Sequence, residues 1–221
     1  LYAGIDGGII KNTLRGYSEE NPFLANDVTV FHSNETFKFY GGVEGKLSAN
    51  VGFEAGFSAS NVKNMSFYLN DTLDVERFNV IYDPGNTAVF NIFGAIGLVQ
   101  ADVWRVNFRG DYWGYGTSDI QEAWHRPNYR IGLTAYYTLF EKIILSSELY
   151  AIGGIKAFDF TTDQAINLAP AFDFNFSAEY LVSDRFSAFL ETNNIFSKEY
   201  ELLYRYPVRG LQFRIGASYT F

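Results

Sequence analysis

Only two histidines, His32 and His125, stand in the 221-residue chain, and it has no cysteine. An imidazole-based metal centre would need both of them together with carboxylates from distant loops. Thiolate sites, disulfides and cysteine nucleophiles are excluded. No Gly-x-Ser-x-Gly elbow, phosphate-binding loop or His-Glu-x-x-His helix occurs. Serine, histidine and aspartate are all present, so a triad near a rim could be composed, but no local sequence marks one. Asp71, Asp74, Asp83, Asp119, Asp159 and Asp163 fall in long polar segments and offer the oxygen ligands that calcium takes. None stands in the Asp-x-Asp-x-Asp-Gly spacing of a calcium loop, so they read as solvated loop acids. The expectation is a non-enzyme without cofactor or metal site, whose two histidines are solvated or hydrogen-bonded.

A second set of polar residues sits inside alternating segments rather than in loops: Lys38, Glu44, Lys46, Glu54, Arg105, Arg109, Asp111, Arg130, Glu148, Asp173, Glu179, Glu191 and Arg214. They would line one polar face and could border a substrate path, but wetting that face or pairing across strands accounts for them more simply. Trp104, Trp113, Trp124 and the tyrosines could stack on sugars; anchoring at a membrane interface explains them at less cost.

The elements that would carry these side chains are strands. In residues 211–221, Leu211, Phe213, Ile215, Ala217, Tyr219 and Phe221 alternate with Gln212, Arg214, Gly216, Ser218 and Thr220, giving one apolar and one polar face. The same design recurs in four hairpins: 36–47 with 51–60, 87–98 with 104–115, 128–139 with 143–158, and 171–182 with 185–196. Short turns at Ser48-Ala49-Asn50, Gln100-Ala101-Asp102, Glu141-Lys142 and Ser183-Asp184 close them. The segments 11–35, 61–86, 117–127, 159–170 and 197–210 are long and polar and are read as loops, with all five prolines in them. With residues 1–10 and 211–221 the count is ten strands. Short turns at one end and long loops at the other are the asymmetry of outer-membrane barrels.

Composition agrees. Aromatics make up 19% of the chain, yet no apolar run approaches the roughly 18 residues a membrane helix needs. A net charge of −8 excludes nucleic acid as a partner. Leu1 opens the chain with no signal-like series before it, so the signal is removed or the chain is a fragment. The expected fold is an all-β, antiparallel transmembrane β-barrel spanning 1–221 as one domain. Its alternative is the C-terminal portion of a larger barrel.

The run Glu191-Thr192-Asn193-Asn194-Ile195-Phe196-Ser197-Lys198-Glu199-Tyr200, then Tyr206-Pro207-Val208-Arg209-Gly210 and the aromatic-ended strand, resembles the C-terminal end of TonB-dependent outer-membrane receptors. Asn21-Pro22-Phe23-Leu24 and Ala123-Trp124-His125-Arg126-Pro127 resemble features of such barrels in Bacteroidetes. The resemblance implies a 22-stranded barrel in the outer membrane of a Gram-negative bacterium, in contact with lipid and lipopolysaccharide, acting in uptake or passage of a ligand. It assigns Asn193, Asn194, Phe196, Tyr200, Tyr206, Pro207 and Gly210 to the family motif. Phe213, Ile215, Tyr219 and Phe221 resemble the signal read by the barrel-assembly machinery. The TonB system or surface lipoproteins are the further partners it implies. Neither a TonB box nor a plug domain can be located in these residues, so a scaffold or assembly-partner barrel is a second reading. A soluble lipocalin-like binding barrel is a third, disfavoured by the turn asymmetry and the terminal Phe.

Overall fold

A computed structural model of the protein describes residues 1–100 and 103–221. The elements are β1 (Tyr2–Ile10), α1 (Leu14–Glu20), β2 (Ser33–Ser48), β3 (Val51–Asn70), β4 (Phe78–Gln100), β5 (Trp104–Gly116), β6 (Tyr129–Leu139), β7 (Ile143–Gly153), β8 (Lys156–Asp159), β9 (Gln164–Asn167), β10 (Ala171–Ser183), β11 (Phe186–Asn193), β12 (Glu201–Leu203), β13 (Tyr206–Pro207) and β14 (Gln212–Tyr219). Ten of the strands form one antiparallel sheet in the order β1-β2-β3-β4-β5-β6-β7-β10-β11-β14, while β8–β9 and β12–β13 are separate two-stranded ribbons. Every neighbour in the large sheet is also the next large strand in sequence, as an up-and-down barrel wall requires.

Because side chains alternate in a strand, the register places like with like across the sheet. One row runs Phe53, Ile96, Phe108, Leu133, Leu149, Phe174 from β3 to β10, each residue opposite the next. The neighbouring row on the other face runs Gly97, Asn107, Thr134, Glu148, Asn175. The apolar face stays uncovered: Ile5, Phe39, Phe57, Ile92, Ile96 and Ile131 are among its exposed side chains. A contiguous apolar wall of this size is not left in water by a soluble protein. No helix of the described residues is long and apolar enough to cross a membrane.

Several sequence expectations need correction. The segment 61–86 is strand for most of its length, since β3 runs to Asn70 and β4 starts at Phe78. Pro84 therefore lies inside β4 and Pro207 inside β13, not in loops. Pro84 is tolerated because the register slips there, between the Lys63↔Asn86 and Met65↔Asp83 pairs, so its missing N–H falls at a bulge. Asn64, opposite the bulge, takes a left-handed φ of 55°. The segment 143–158 is not one strand: β7 ends at Gly153, Gly154 turns with φ of 72°, and the chain leaves the sheet as β8. The 11–35 loop holds α1, capped by Thr13 Oγ1, which accepts from the Gly16 N–H at 3.0 Å. The sheet is open rather than closed on itself: among the described residues β1 pairs only with β2 and β14 only with β11. The Gln100-Ala101-Asp102 turn lies partly outside the described residues.

In six pairs a glycine lies directly opposite an aromatic whose ring would stand within 3.1 Å of an added Cβ: Gly42 and Tyr2, Gly4 and Tyr40, Gly45 and Phe53, Gly56 and Phe93, Gly153 and Tyr129, Gly216 and Phe189. The missing Cβ lets each ring lie over its partner's backbone, which compensates for a glycine in a strand interior. A Cβ at Gly56 would stand 2.9 Å from both the Gly41 carbonyl oxygen and the Phe93 ring. Gly56→Val is therefore expected to cost about 1–3 kcal/mol through overpacking. Gly110→Ala, where nothing lies within 4 Å, should stay within about 0.5 kcal/mol. Reversible urea unfolding in detergent micelles measures both.

Candidate functional site

All of the long connections emerge at the end of the sheet opposite the short turns, and two of them fold inward over the polar face. The last, between β11 and β14, is held at its neck by Asn194. Its Nδ2 donates to the carbonyls of Lys198 at 2.9 Å and Arg209 at 3.0 Å, its Oδ1 accepts from the Lys198 N–H at 3.2 Å, and its own N–H donates to Asn175 Oδ1. An asparagine tolerates the left-handed φ of 49° needed here better than most residues. Asn193 ends β11 opposite Gln212. Gly210 passes so close to Ser197 that a Cβ would meet its Oγ at 2.9 Å. Phe196 turns to the apolar side and stacks on Phe172 with centroids 5.4 Å apart.

Beyond this neck, β12 and β13 lie against residues that belong towards the opposite edge of the sheet. The Tyr206 ring stacks on Phe23, centroids 3.5 Å apart and planes 17° off parallel, and its hydroxyl donates to the Glu76 carbonyl. Phe23 lies in the first loop, between β1 and β2. The 23–25 backbone is tied to β4: Phe78 N–H donates to the Phe23 carbonyl and Ala25 N–H to the Phe78 carbonyl, both at 2.9 Å. A core of Tyr17, Leu24, Tyr68 and Phe78 forms beneath, with Leu203 and Tyr206 packed on it. The first and last loops of the sheet thus meet, although β1 and β14 do not pair.

His125 is the hub of this assembly, in a turn where its φ is 57°. Its Nδ1 lies 2.8 Å from the Tyr68 carbonyl, so Nδ1 carries the proton. Nε2 then accepts from the Tyr204 N–H at 3.3 Å, and the backbone N–H of His125 donates to the Lys156 carbonyl. The ring packs edge-on against Phe78. The imidazole therefore links β3 to the last loop, and the backbone of the same residue adds β8. Burial pushes its pKa from 6.5 down to about 4. Trp124, expected at an interface, is instead buried with its ring edge-on to Phe158. The 154–170 excursion supplies enough apolar surface to cover it.

A second core joins the last loop to the sheet through Ile152, Ile155, Ala157, Leu168, Ala171 and Tyr200. Within it Asp173 Oδ2 accepts from Tyr200 Oη at 2.8 Å and Tyr150 Oη at 3.0 Å. Burial, then Tyr150 and Asp173, push the Tyr200 hydroxyl up from its ordinary value. Motif residues Asn193, Asn194, Tyr200, Tyr206 and Pro207 share the walls of a cavity of about 460 Å³ here, with Asp173 and Phe23. Phe196 lies outside it on the apolar face, and Phe213, Ile215, Tyr219 and Phe221 are exposed on the apolar side of the last strand and beyond its end. Tyr219 and Phe221 pack edge to face, centroids 5.1 Å apart.

Elsewhere on the polar face charges pair locally. Arg109 forks onto Asp111 at 2.8 and 2.9 Å and lies over the Phe93 ring, while Arg214 pairs with Glu191 and lies over Phe189. Asp83 is a fully buried clamp, accepting from Thr87, the Ser118 hydroxyl and the N–H groups of Ser118 and Asp119. Among the described residues no group of three or more His, Asp or Glu is arranged to hold a metal.

No protein-family model and no curated protein matches the chain. Solved structures do. The chain is similar to the pyoverdine outer-membrane receptor FpvA from Pseudomonas aeruginosa at 12% identity, covering 99% of this chain and 33% of that one with a TM-score of 0.69. It is similar to the ferric-catecholate import receptor Fiu from E. coli at 14% identity, covering 99% and 32%, TM-score 0.67. The copper transporter OprC matches at 11% identity over 99% and 37%, TM-score 0.69. At these identities the likeness is one of fold: the sheet has the strand arrangement of an outer-membrane receptor barrel wall, and the chain spans about a third of the length of the structures it matches.

The His125 arrangement carries a pH dependence. In the closed cluster the imidazole stays neutral down to about pH 4, whereas once the loops open it takes up a proton below about 6.5. The open form then binds more protons, so closure is fully stable above about pH 6.5 and weakens as the pH falls towards 4. The loss approaches ~3 kcal/mol. Amide exchange of Tyr204 between pH 7.5 and 4.5 measures it, and His125→Gln should flatten the profile.

Proposed function

We propose that the chain is a single-domain segment of the wall of an outer-membrane receptor barrel in a Gram-negative bacterium, acting in the uptake or passage of a ligand across that membrane. The observation that carries this reading is the ten-stranded sheet, with one predominantly apolar exposed face and a polar face partly covered by converging loops. Its likeness to receptor and transporter barrels supports the same reading. The apolar face meets lipid and the acyl chains of lipopolysaccharide, and the last strand, with Phe213, Ile215, Tyr219 and Phe221, is the segment handed to the barrel-assembly machinery. The motif residues Asn193, Asn194, Phe196, Tyr200, Tyr206, Pro207 and Gly210 shape the last loop. The TonB system is the proposed energy source.

The uptake reading is tested by comparing periplasmic small-molecule pools, by mass spectrometry, between wild-type cells and cells lacking the gene. One or more extracellular compounds should be missing from the periplasm of the deletion strain and return on complementation. Unchanged pools together with loss of an outer-membrane complex would transfer the chain to a scaffold role.

Orientation is tested by charge placement. Leu133→Arg puts a cation on the apolar face and should cost roughly 2–4 kcal/mol near the bilayer midplane, whereas Thr134→Arg on the polar face should be milder. Refolding into lipid vesicles measures the pair, and the reverse ranking would turn the apolar face inward. Phe221→Asp should lower outer-membrane levels of the protein well below those of a loop control, Gln121→Asp, because it puts an anion in place of the terminal aromatic that packs on Tyr219 at the apolar side. Equal accumulation of the two would remove the assembly role.

A further inference from the structure

The cavity of about 460 Å³ at the mouth of the polar face is walled by three segments distant in sequence: Phe23 from the first loop, Asp173 from β10, and Tyr200, Tyr206, Val208 and Arg209 from the last loop. Its size suits a small organic molecule, and most of its wall is apolar or aromatic. Polar Asn193, Asn194 and Gln212 and the cationic Arg209 also line it, and Asp173 is its one acidic group. Asp173 is 94% buried, the complement of a 6% relative exposure, and its Oδ1 has no hydrogen-bond partner and exposes almost no surface, so a ligand donor reaches it only when the segments packed over it part. The nearest donors are already committed. Tyr150 and Tyr200 both reach Oδ2, at 3.0 and 2.8 Å, and stand 2.6 Å from each other, so their two protons are spent on that oxygen or on one another.

A desolvated carboxylate with one bare oxygen is unfavourable unless a donor, best a charged one, reaches it. The aromatic faces on the same cavity attract cations and exclude water from the body of a ligand. We propose that this cavity is a binding subsite for an organic cation, a primary ammonium or guanidinium on a small apolar or aromatic body, whose N–H groups donate to Asp173. The proposal names a substrate class for the uptake reading and rests on that reading for its biological use. Phe23 and Tyr206, stacked on one another, stand on its wall.

The test uses the full-length protein purified from outer membranes in detergent, titrated by calorimetry with phenethylamine and with its neutral counterpart phenethyl alcohol. The amine should bind saturably and the alcohol at least ~tenfold more weakly, the range expected for a lost charged hydrogen bond. Asp173→Asn should abolish that preference, with the strand signature in circular dichroism retained as the control for folding. If that variant fails to fold, the comparison of amine with alcohol on the wild-type protein decides alone. Equal affinity for the two, or no saturable binding of the amine, overturns the subsite. Uptake in cells without amine preference loses the subsite alone, and amine preference without any change in periplasmic pools loses the uptake reading alone.

Discussion

Each backbone N–H and C=O in a strand that faces hydrocarbon has to find its partner in the adjacent strand, because no water is there to supply one. Everything else in this molecule is arranged around that requirement. It demands long, regular, consecutively paired strands, and the chain supplies them, with Pro84 confined to a bulge where the ladder has already slipped. It demands side chains that alternate strictly, since a slip of one residue would turn the polar row of Asn107, Thr134 and Glu148 into lipid. Where the strands must lie close or bend, glycine faces an aromatic ring, so the ladder stays intact and the ring restores the packing that glycine gives up.

Outside the hydrocarbon the constraint changes, and ordinary folding rules return. The loops build two small hydrophobic cores of their own. Three buried polar residues there are held by specific hydrogen bonds: Asn194 to the neck of the last loop, Asp83 to the 117–119 turn, His125 to three separate segments. These contacts join the first loop to the last across the whole width of the sheet, so the mouth is organised independently of whether the edge strands pair. Such a mouth can open without disturbing the wall, because a few aromatic contacts and hydrogen bonds are far less costly to break than a strand ladder.

Most of the wall was readable in the chain, since a face buried in lipid imposes a period of two that the order of residues reveals. Phe108, Leu133 and Leu149 announce their face through their own neighbours. The extension of β3 to Asn70 and of β4 from Phe78 was not readable, because above the membrane both faces of a strand can be polar or packed under a loop and the alternation vanishes; Asn61, Lys63 and Asn64 look like loop residues. The break at Gly154 was hidden for a related reason, as Ile155 and Ala157 continue an apolar pattern that serves a loop core rather than the wall.

The sequence by itself determined the class of fold, the ten strands of the wall, the ends at which turns and loops lie, and the side that is apolar, because each follows from local alternation and turn chemistry. Only the tertiary structure decided that the sheet is open between β1 and β14, that His125 is a buried neutral hub, that Trp124 is core, and that Asp173 shares one oxygen with two tyrosines while the other faces no donor. Those features depend on residues that lie far apart in the chain, such as Phe23 and Tyr206, and no local pattern encodes which loop will fold onto which.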